Sequence, residues 1–449
     1  MNTSSRKTLI LVTAIAIVPL AASLPLPAPL PTRLGAGLFL LAALLWMTEA
    51  VPLYVTSFLI LFCETAFLAP ALNTSHAIFL APFFSDIIAL FLGGLLLAEA
   101  GHKYHIDEWF ASLILKLAGT RPAYILFAMM LTTAILSMWM SNTATTAMML
   151  LIVGALVAPF GHDSCFARAF FLGIPFSANL GGMITPVGTP PNAIAMQAIN
   201  SHYPGSMTFF TWMLVSCPVV IVLLVLLWRM LLFFYPPPRT QIEKPPLFHI
   251  EVRASTLTVI AVFHLTVFLW LTNSLHGLSS GTVALIPAIV FLSFGILDKQ
   301  DFRNISWDVL FLVGGGLALS VGMDKSGLND FLVQSIPFEQ FSPMVILISF
   351  VMIGAFLTTF MSNTATANLI IPLTFILPGL AGPSLTISVA LVISSTMILP
   401  VSTPPNAIAY SSGLISMKEM AKVGFLISLV AALVLLSLGQ WWLHFLGFI

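Results

Sequence analysis

The chain has 449 residues, of which 59% are hydrophobic and only 7% are Lys, Arg, Asp or Glu. A water-soluble domain carries roughly 25% charged residues, so a soluble fold is excluded and most of this chain must face lipid. Sixteen basic residues balance sixteen acidic residues, which leaves no net charge to attract nucleic acid. The three cysteines show neither disulfide nor zinc-site spacing.

Apolar segments that could cross a bilayer follow one another along the chain. A crossing needs about 20 apolar residues. The sequence predicts nine such segments, at about 8–25, 34–48, 51–69, 86–100, 207–228, 253–273, 281–297, 305–322 and 420–446. The first follows Arg6 and Lys7 and lacks a clean cleavage site, so we interpret it as a retained span and not as a signal peptide.

Two further apolar stretches, at about 123–195 and 341–417, are interrupted by duplicated polar motifs. Ser-Asn-Thr-Ala-Thr at 141–145 recurs at 362–366, and Thr-Pro-Pro-Asn-Ala-Ile-Ala at 189–195 recurs at 403–409. Backbone freed at such motifs must be buried in protein or face a water-filled cavity. Each half therefore predicts a re-entrant hairpin with Ser-Asn-Thr at its tip and a span broken at Thr-Pro-Pro-Asn, besides three simple spans, an amphipathic stretch (103–118 and 325–337) and a final span.

This duplication predicts an all-α polytopic membrane protein with about 11 transmembrane helices in two inverted repeats. Five spans per repeat is an odd number, so the two repeats enter the membrane from opposite sides. The predicted divisions are a leader helix at 1–30, a first repeat at 31–235 (hairpin motif 141–143, break 185–192), a cytoplasmic connector at 236–252, and a second repeat at 253–449 (hairpin motif 362–364, break 400–406). Fourteen of the sixteen Lys and Arg residues then lie on the N-terminal side of the membrane. This asymmetry predicts a cytoplasmic N-terminus and an external C-terminus.

The motif chemistry points to an anion held together with cations. Ser and Asn can cap a helix, and Thr before Pro favours a helix start, so four helix N-termini are predicted to meet near mid-membrane. Such termini attract carboxylate, sulfate or phosphate oxygens, while backbone carbonyls with Ser and Asn oxygens suit an alkali cation. No Lys, Arg, Asp or Glu occurs at 122–161, 169–228 or 340–417. Helix ends and co-bound cations must therefore neutralise the anion.

Four isolated residues admit structural or functional interpretations. Glu49 could stabilise a short turn or take part in gating. Asp86 and Asp308 precede apolar runs, which favours helix N-caps over a proton relay. His264 stands alone in an apolar span, and a hydrogen-bonded packing role is favoured over a ligand role.

The two motif pairs, together with Trp-Met-Thr-Glu-Ala-Val-Pro at 46–52, resemble the divalent anion/sodium symporter family, the INDY-like carriers of dicarboxylates. The resemblance spans nearly the whole chain after the leader. It implies a homodimer in which a fixed scaffold holds a transport domain that crosses the membrane in an elevator motion. It also implies that the transport domain contains both hairpins and both broken spans.

The resemblance implies two sodium sites and one substrate site. The first sodium site would use Ser137, Ser141, Asn142 and Gly188, and the second would use Thr358, the Met361 carbonyl, Asn363 and Ser402. The substrate carboxylates would contact Asn142, Thr143, Thr189, Asn363, Thr364, Thr403 and Pro404. Met361 and Ser402 stand where the family is expected to have small residues, and the resemblance implies that main-chain carbonyls ligate there, so that these side chains matter less.

The expected function is sodium-coupled uptake of a C4-dicarboxylate such as succinate, with two or more sodium ions, in a bacterial inner membrane. Within the family, a sodium-independent exchanger and a carrier of tricarboxylate or sulfate remain alternatives. A non-transporting scaffold or an intramembrane hydrolase is a different class. A hydrolase needs a base beside its nucleophile, and the motif regions offer Ser and Thr without a partnering His, Asp or Lys. The chain is therefore not expected to be an enzyme.

Overall fold

The structure is a computed structural model that describes residues 3–23, 27–157, 165–238, 253–335, 340–375 and 382–448. Helices account for the regular structure of these residues. Most of the predicted connector at 236–252, and residues 336–337 of the second amphipathic stretch, lie outside the described residues.

Five helices lead from the N-terminus to the first hairpin. They are α1 (Thr3–Ser23), α2 (Leu30–Thr48), α3 (Leu53–Cys63), α4 (Asp86–Lys103) and α5 (Ile106–Leu117). Helix α3 continues through a π-helical turn at Glu64–Leu68 to Ala71, and short turns at Ala77–Leu80 and Ala81–Phe84 precede α4. Helix α5 is the predicted amphipathic stretch, shortened at both ends.

The first hairpin and the first broken span follow α5. The hairpin arms are α6 (Pro122–Ser137) and α7 (Asn142–Val157), the two parts of the broken span are α8 (Cys165–Gly182) and α9 (Pro190–His202), and the last helix of this half is α10 (Phe209–Phe234). The Ser-Asn-Thr motif lies at the hairpin tip, as predicted from the sequence.

The second half has the same order of elements. Its helices are α11 (Ala254–Leu271), α12 (Ser280–Ser293), α13 (Trp307–Lys325), α14 (Leu328–Ser335), α15 (Pro343–Phe360), α16 (Asn363–Ile370), α17 (Gly382–Ser395), α18 (Pro404–Ser411) and α19 (Met417–Val434, extended to Phe445). A 3₁₀ turn at Ile371–Phe375 extends α16, and short helices form at Asn273–His276 and Lys299–Asn304.

Each of the nine predicted simple spans corresponds to a helix, and eight helical segments of the described residues are long and apolar enough to cross a membrane. The breaks lie earlier than predicted. The non-helical residues are 183–189 and 396–403, where the sequence predicted 185–192 and 400–406. The reason is that Pro190 and Pro404 occupy the first position of the following helix, where the fixed φ of proline is favourable.

Glycines let the simple spans approach one another closely. A Cβ atom at Gly93 of α4 would overlap the carbonyl group of Ala284 in α12. A Cβ atom at Gly315 of α13 would overlap the side chain of Ser57 in α3. Small residues at helix interfaces allow the van der Waals packing that holds membrane helices together. In both pairs a helix of the first half packs against a helix of the second half.

Polar contacts join helix ends that are distant in the sequence. Lys103 Nζ lies 2.5 Å from Asp301 Oδ2, and Arg168 Nη1 lies 2.7 Å from Glu419 Oε1. The Thr32 hydroxyl donates to the Ser326 carbonyl at 2.7 Å. The predicted topology assigns the first two contacts to the cytoplasmic face and the third to the external face.

The N-cap predictions for Asp86 and Asp308 are wrong. Asp86 is the first residue of α4, and both of its carboxylate oxygens accept the Gly281 N–H at 3.1 Å. The Ser279 hydroxyl also donates to Asp86, so this carboxylate caps α12 and not its own helix. Asp308 is the second residue of α13, whose N-cap is Ser306.

Glu49 and His264 make local contacts within the described part of the chain. Glu49 ends α2 in the left-handed region, with φ of 47°, and its N–H bonds to the Leu45 carbonyl at 3.0 Å. This geometry favours the structural interpretation of Glu49. His264 Nδ1 lies 2.7 Å from the Ile260 carbonyl, as a hydrogen-bonded histidine would, but its side chain is exposed and not packed inside the protein.

Candidate functional site

A cavity of about 270 Å³ lies where both hairpin tips meet both broken spans. Its wall contains ten of the predicted site residues, which are Ser141, Asn142, Thr143, Gly188, Thr189, Asn363, Thr364, Ser402, Thr403 and Pro404. The other three, Ser137, Thr358 and Met361, are buried just before the two Ser-Asn-Thr motifs and do not line the cavity. The structure therefore brings the four motifs to one place.

Four helices begin at the cavity wall: α7, α9, α16 and α18. Ser362 caps α16, because its hydroxyl accepts the Ala365 N–H at 3.2 Å. Thr403 caps α18 by accepting the Asn406 N–H at 3.4 Å. Thr189 is the N-cap of α9 by backbone conformation, but its side chain makes no capping bond. Each helix start adds a partial positive charge and free N–H groups to the wall.

A hydroxyl group contacts the amide oxygen of the motif asparagine in each hairpin. The Ser137 hydroxyl donates to Asn142 Oδ1 at 2.6 Å, and the Thr358 hydroxyl donates to Asn363 Oδ1 at 2.6 Å. Ser137 and Thr358 are fully buried. An alkali cation could contact both oxygens from one side once the hydroxyl hydrogen turns away, because both atoms are uncharged, hard oxygen ligands. This geometry suits the sodium roles predicted for these residues.

The asparagine of each Thr-Pro-Pro-Asn motif holds the break together. Asn192 Nδ2 donates to the carbonyls of Gly182 (2.9 Å), Met183 (3.2 Å) and Thr185 (2.7 Å). Asn406 Nδ2 donates to the carbonyls of Met397 (3.0 Å) and Leu399 (3.1 Å). Both side chains are fully buried. Carbonyls freed by a broken helix need donors when no water is at hand, and these amides supply them.

The role of Asn192 and Asn406 was not predicted from the sequence. The Thr and Pro residues of this motif were assigned a role at the helix start, and the Asn was assigned none. The signal was available, since an asparagine recurs at the same place in both copies of a span that is predicted to break. Freed carbonyls require side-chain donors, and Asn is the residue of the motif that can donate.

Each broken span is also hydrogen-bonded to its hairpin. The Thr185 hydroxyl donates to the Met138 carbonyl, and the Ser402 hydroxyl donates to the Thr359 carbonyl at 3.1 Å. Met138 and Thr359 each lie three residues before a Ser-Asn-Thr motif. The hairpin tips are therefore fixed to the breaks in both halves of the chain.

Asn179 of α8 was also missed by sequence reasoning. Its Nδ2 donates to the Thr403 hydroxyl oxygen at 3.1 Å and to Asn406 Oδ1 at 3.3 Å. Asn179 lines the cavity and is only 2% exposed. It therefore joins the first broken span to the second, a contact between residues more than 200 positions apart.

The electrostatics of the cavity are unusual for an anion site. Among the described residues of its wall, Asp308 is the one ionisable side chain, and it is negative and exposed. The lining of this part of the structure contains no Lys, Arg or His. The charge of a bound anion would then be balanced by helix N-termini and by cations, as predicted from the sequence. Asp308 would repel the anion, which was not predicted.

Stacked aromatic rings flank the first hairpin tip. Trp139 lines the cavity, and its ring stacks on Phe209 with centroids 6.1 Å apart and on Trp270 with centroids 6.4 Å apart. Trp270 is held in place by its Nε1–H, which donates to the Ser280 carbonyl at 2.9 Å. The stack thus connects the first hairpin with α10 and α11.

Comparison with known proteins gives a consistent assignment. Residues 5–449 match the model of the family described as "Sodium:sulfate symporter transmembrane region". An uncharacterized transporter of Haemophilus influenzae is 34% identical over 92% of this chain and 93% of its own length. The sodium-dependent dicarboxylate transporter SdcS of Staphylococcus saprophyticus is 32% identical over 89% of this chain and 85% of its own length.

Two solved structures share the fold. The YdaH transporter of Alcanivorax borkumensis superposes with a TM-score of 0.57 at 14% identity and covers 93% of this chain and 99% of its own. MtrF of Neisseria gonorrhoeae superposes with a TM-score of 0.55 at 13% identity and covers 93% of this chain and 95% of its own. The family match over residues 5–449 confirms the resemblance drawn from the motifs. The chain is an integral membrane transporter, not an enzyme, and it belongs to the divalent anion/sodium symporter family.

Proposed function

We propose that this protein is a sodium-coupled symporter that carries a C4-dicarboxylate such as succinate into the cell across a bacterial inner membrane. The observation that carries the proposal is the cavity, where four helix N-termini and uncharged oxygen ligands surround a space without a basic side chain in its described wall. A dianion left unpaired there would be strongly unfavourable, so cations must bind with it. The relatives named as sodium-dependent dicarboxylate transporters support this choice of ion and cargo.

The proposed ligands follow the two hairpins. One sodium ion is bound by the oxygens of Ser137, Ser141, Asn142 and Gly188, and another by those of Thr358, Met361, Asn363 and Ser402. The dicarboxylate lies between them, in contact with Asn142, Thr143, Thr189, Asn363, Thr364, Thr403 and Pro404. The matching hydroxyl–amide pairs at 2.6 Å support one cation beside each hairpin.

The transport cycle that we propose is an elevator motion in a homodimer. The chain is divided into a leader (1–30), two inverted repeats (31–235 and 253–449) and a cytoplasmic connector (236–252), with the N-terminus inside and the C-terminus outside. Hydrogen bonds between each hairpin and its broken span support their movement as one unit. The cavity wall includes Leu53, Ser306 and Asp308, at the starts of α3 and α13, which supports access to the cavity from the proposed cytoplasmic face.

Uptake into proteoliposomes tests the proposal. We expect purified protein to accumulate labelled succinate when external sodium exceeds internal sodium, and to fail when choline replaces sodium. Unlabelled succinate, citrate and sulfate added in excess would rank the cargo by competition. Equal uptake in sodium and choline would refute coupling, and accumulation of labelled citrate or sulfate without accumulation of labelled succinate would refute the C4 assignment.

A further inference from the structure

Asn179 fixes the direction in which the Thr403 hydroxyl can donate a hydrogen bond. The donor and acceptor atoms of these side chains can be assigned by starting from the backbone carbonyls that they contact. Asn406 points toward the carbonyls of Met397 and Leu399, which only accept hydrogen bonds, so the amide group facing them must be its Nδ2. The remaining atom, Asn406 Oδ1, can only accept. Asn179 must therefore present its own Nδ2, which donates at 3.3 Å.

The same Asn179 amide also donates to the Thr403 hydroxyl oxygen at 3.1 Å. The Asn406 backbone N–H donates to that oxygen as well, at 3.4 Å. A threonine hydroxyl has two acceptor lone pairs and one hydrogen, so both acceptor positions of Thr403 are occupied. Its hydrogen has no protein acceptor among the residues that the structure describes, and Thr403 lines the cavity.

In the first half, no described side chain fixes the hydroxyl of the matching residue, Thr189, in this way. Thr189 is not bonded through its side chain to the start of α9. Ile393, which stands ten residues before Thr403 as Asn179 stands ten before Thr189, has no side-chain donor. Asn192 Oδ1 accordingly lacks a partner in the described part of the chain, although it is buried. The Thr189 hydroxyl is thus free to turn, whereas the Thr403 hydroxyl is not.

We propose that Asn179 is a positioning residue that makes Thr403 a dedicated hydrogen-bond donor to one end of the bound anion, so that the two ends of the site differ chemically. This inference rests on the proposed function and refines its substrate site. The Thr403 end offers an anion a preoriented O–H, which costs no reorientation on binding. The Thr189 end can donate to an anion or accept from a cation.

Uptake kinetics of Asn179 variants test the inference. Asn179→Leu preserves the size of the side chain and removes the donor, and we expect the KM for succinate to rise about tenfold while Vmax stays within about twofold, because the anion must then reorient the Thr403 O–H on binding. Asn179→Asp preserves the shape but presents an acceptor at neutral pH, so the Thr403 hydrogen turns away from the anion. We expect a larger rise in KM for Asn179→Asp than for Asn179→Leu.

A double-mutant cycle separates this role from a structural one. In a Thr403→Val background the hydroxyl is gone, so adding Asn179→Leu should leave the KM within about twofold of the single variant. A further tenfold rise in KM in that background would overturn the inference, because Asn179 would then act without Thr403. An unchanged KM in Asn179→Leu alone would overturn it as well.

The result is distinguishable from failure of the proposed function. Wild-type protein that carries labelled sulfate but not succinate refutes the C4 assignment, and the Asn179 variants are then compared with sulfate. Wild-type protein that carries neither anion, with or without sodium, contradicts both proposals, because Thr403 would have no anion to contact. The sodium concentration for half-maximal uptake should stay within about twofold in Asn179→Leu, since a general distortion of the site would change it too.

Discussion

The Ser402 hydroxyl donates a hydrogen bond to the Thr359 carbonyl at 3.1 Å and accepts the Leu399 N–H at 3.1 Å. In the first half Thr185 makes the equivalent two hydrogen bonds. Its hydroxyl donates to the Met138 carbonyl and accepts the Gly188 N–H at 3.1 Å. The two carbonyls lie at matching positions, but the hydroxyls do not. Thr185 stands four residues before its Thr-Pro-Pro motif, whereas Ser402 stands directly before it.

This relationship predicts that a hydroxyl at position 399 can replace the hydroxyl of Ser402 in the second half. Ser402→Gly removes the bond to the Thr359 carbonyl, and we expect the free energy of unfolding to fall by about 1 kcal/mol. Adding Leu399→Thr places a hydroxyl where the first half has Thr185, and we expect most of that loss to be recovered. Thermal unfolding in detergent with sodium measures both changes. Leu399→Thr alone is the control, and a double variant less stable than Ser402→Gly would contradict the prediction.

Removal of either hairpin asparagine should abolish transport without unfolding the protein. Asn142→Ala and Asn363→Ala each delete the amide oxygen that accepts a buried hydroxyl and that we assign to both sodium and substrate. We expect sodium-driven succinate uptake to vanish and sodium to lose its stabilising effect on the melting temperature.

Asn200→Ala is the matched control for these two variants. Asn200 bonds the Met207 backbone at 2.8 and 3.0 Å, and it does not line the cavity. We expect its KM for succinate to equal that of the wild type, although its stability falls. Sodium-dependent uptake of wild-type affinity in Asn142→Ala or Asn363→Ala would remove the double assignment of that residue.

The break in the first half should depend on Asn192 for stability. Asn192→Leu leaves three carbonyls without their side-chain donor, and we expect a loss of about 3 kcal/mol in the free energy of unfolding. Gln300→Leu removes an exposed amide bonded to Asn304 at 3.0 Å and should change stability by less than about 0.5 kcal/mol. Chemical unfolding monitored by tryptophan fluorescence compares the two. Equal stability of both variants would show that other donors satisfy these carbonyls.

Asp308 should weaken substrate binding by charge repulsion. Asp308→Asn removes the one ionisable side chain in the described cavity wall, and we expect the KM for succinate at low ionic strength to fall about threefold. The difference from wild type should shrink as salt screens the carboxylate. Asp324→Asn is the control, because Asp324 is exposed at the opposite end of α13. A KM that rises in Asp308→Asn at saturating sodium would indicate that Asp308 attracts cations more than it repels the dianion.

The inverted topology can be tested by labelling single cysteines. Thr48 and Ser274 are exposed at corresponding turns of the two repeats, between α2 and α3 and between α11 and α12. The proposed topology places Thr48 inside and Ser274 outside. In a chain whose three cysteines are replaced by serine, we expect an impermeant maleimide to label Ser274→Cys in intact cells and Thr48→Cys only after lysis. Labelling of both positions from the same side would contradict the two inverted repeats.

Local signals made much of the fold predictable from the sequence. Apolar length predicted the nine simple spans, and the Thr-Pro pairs predicted where α9 and α18 begin, because these effects act within one helix. Contacts across the fold were not predictable. The Asp86 carboxylate caps a helix that begins almost 200 residues later, and Asn179 bonds to Thr403 in the other half. Both depend on how helices pack, which composition and spacing do not specify.

The site residues, too, were predictable only where a local motif specified them. The paired motifs predicted that four helix starts would meet, and ten of the thirteen predicted site residues do line one cavity. The exchange of Thr185 for Ser402 could not be predicted, because a hydroxyl at either position reaches the same carbonyl once the backbone has broken. Asp308 was assigned to a helix cap on sequence position alone, and the start of α13 instead places it at the mouth of the cavity.

The parallel rings of Trp139, Phe209 and Trp270 give the protein an internal optical probe. The stack joins a hairpin tip to α11, so any displacement of one against the other must separate indole groups that now lie nearly parallel, at an interplanar angle of 4°. Coupled indoles produce near-ultraviolet circular dichroism that disappears when they part. Unmodified protein should therefore report its own conformational state spectroscopically, without an attached dye.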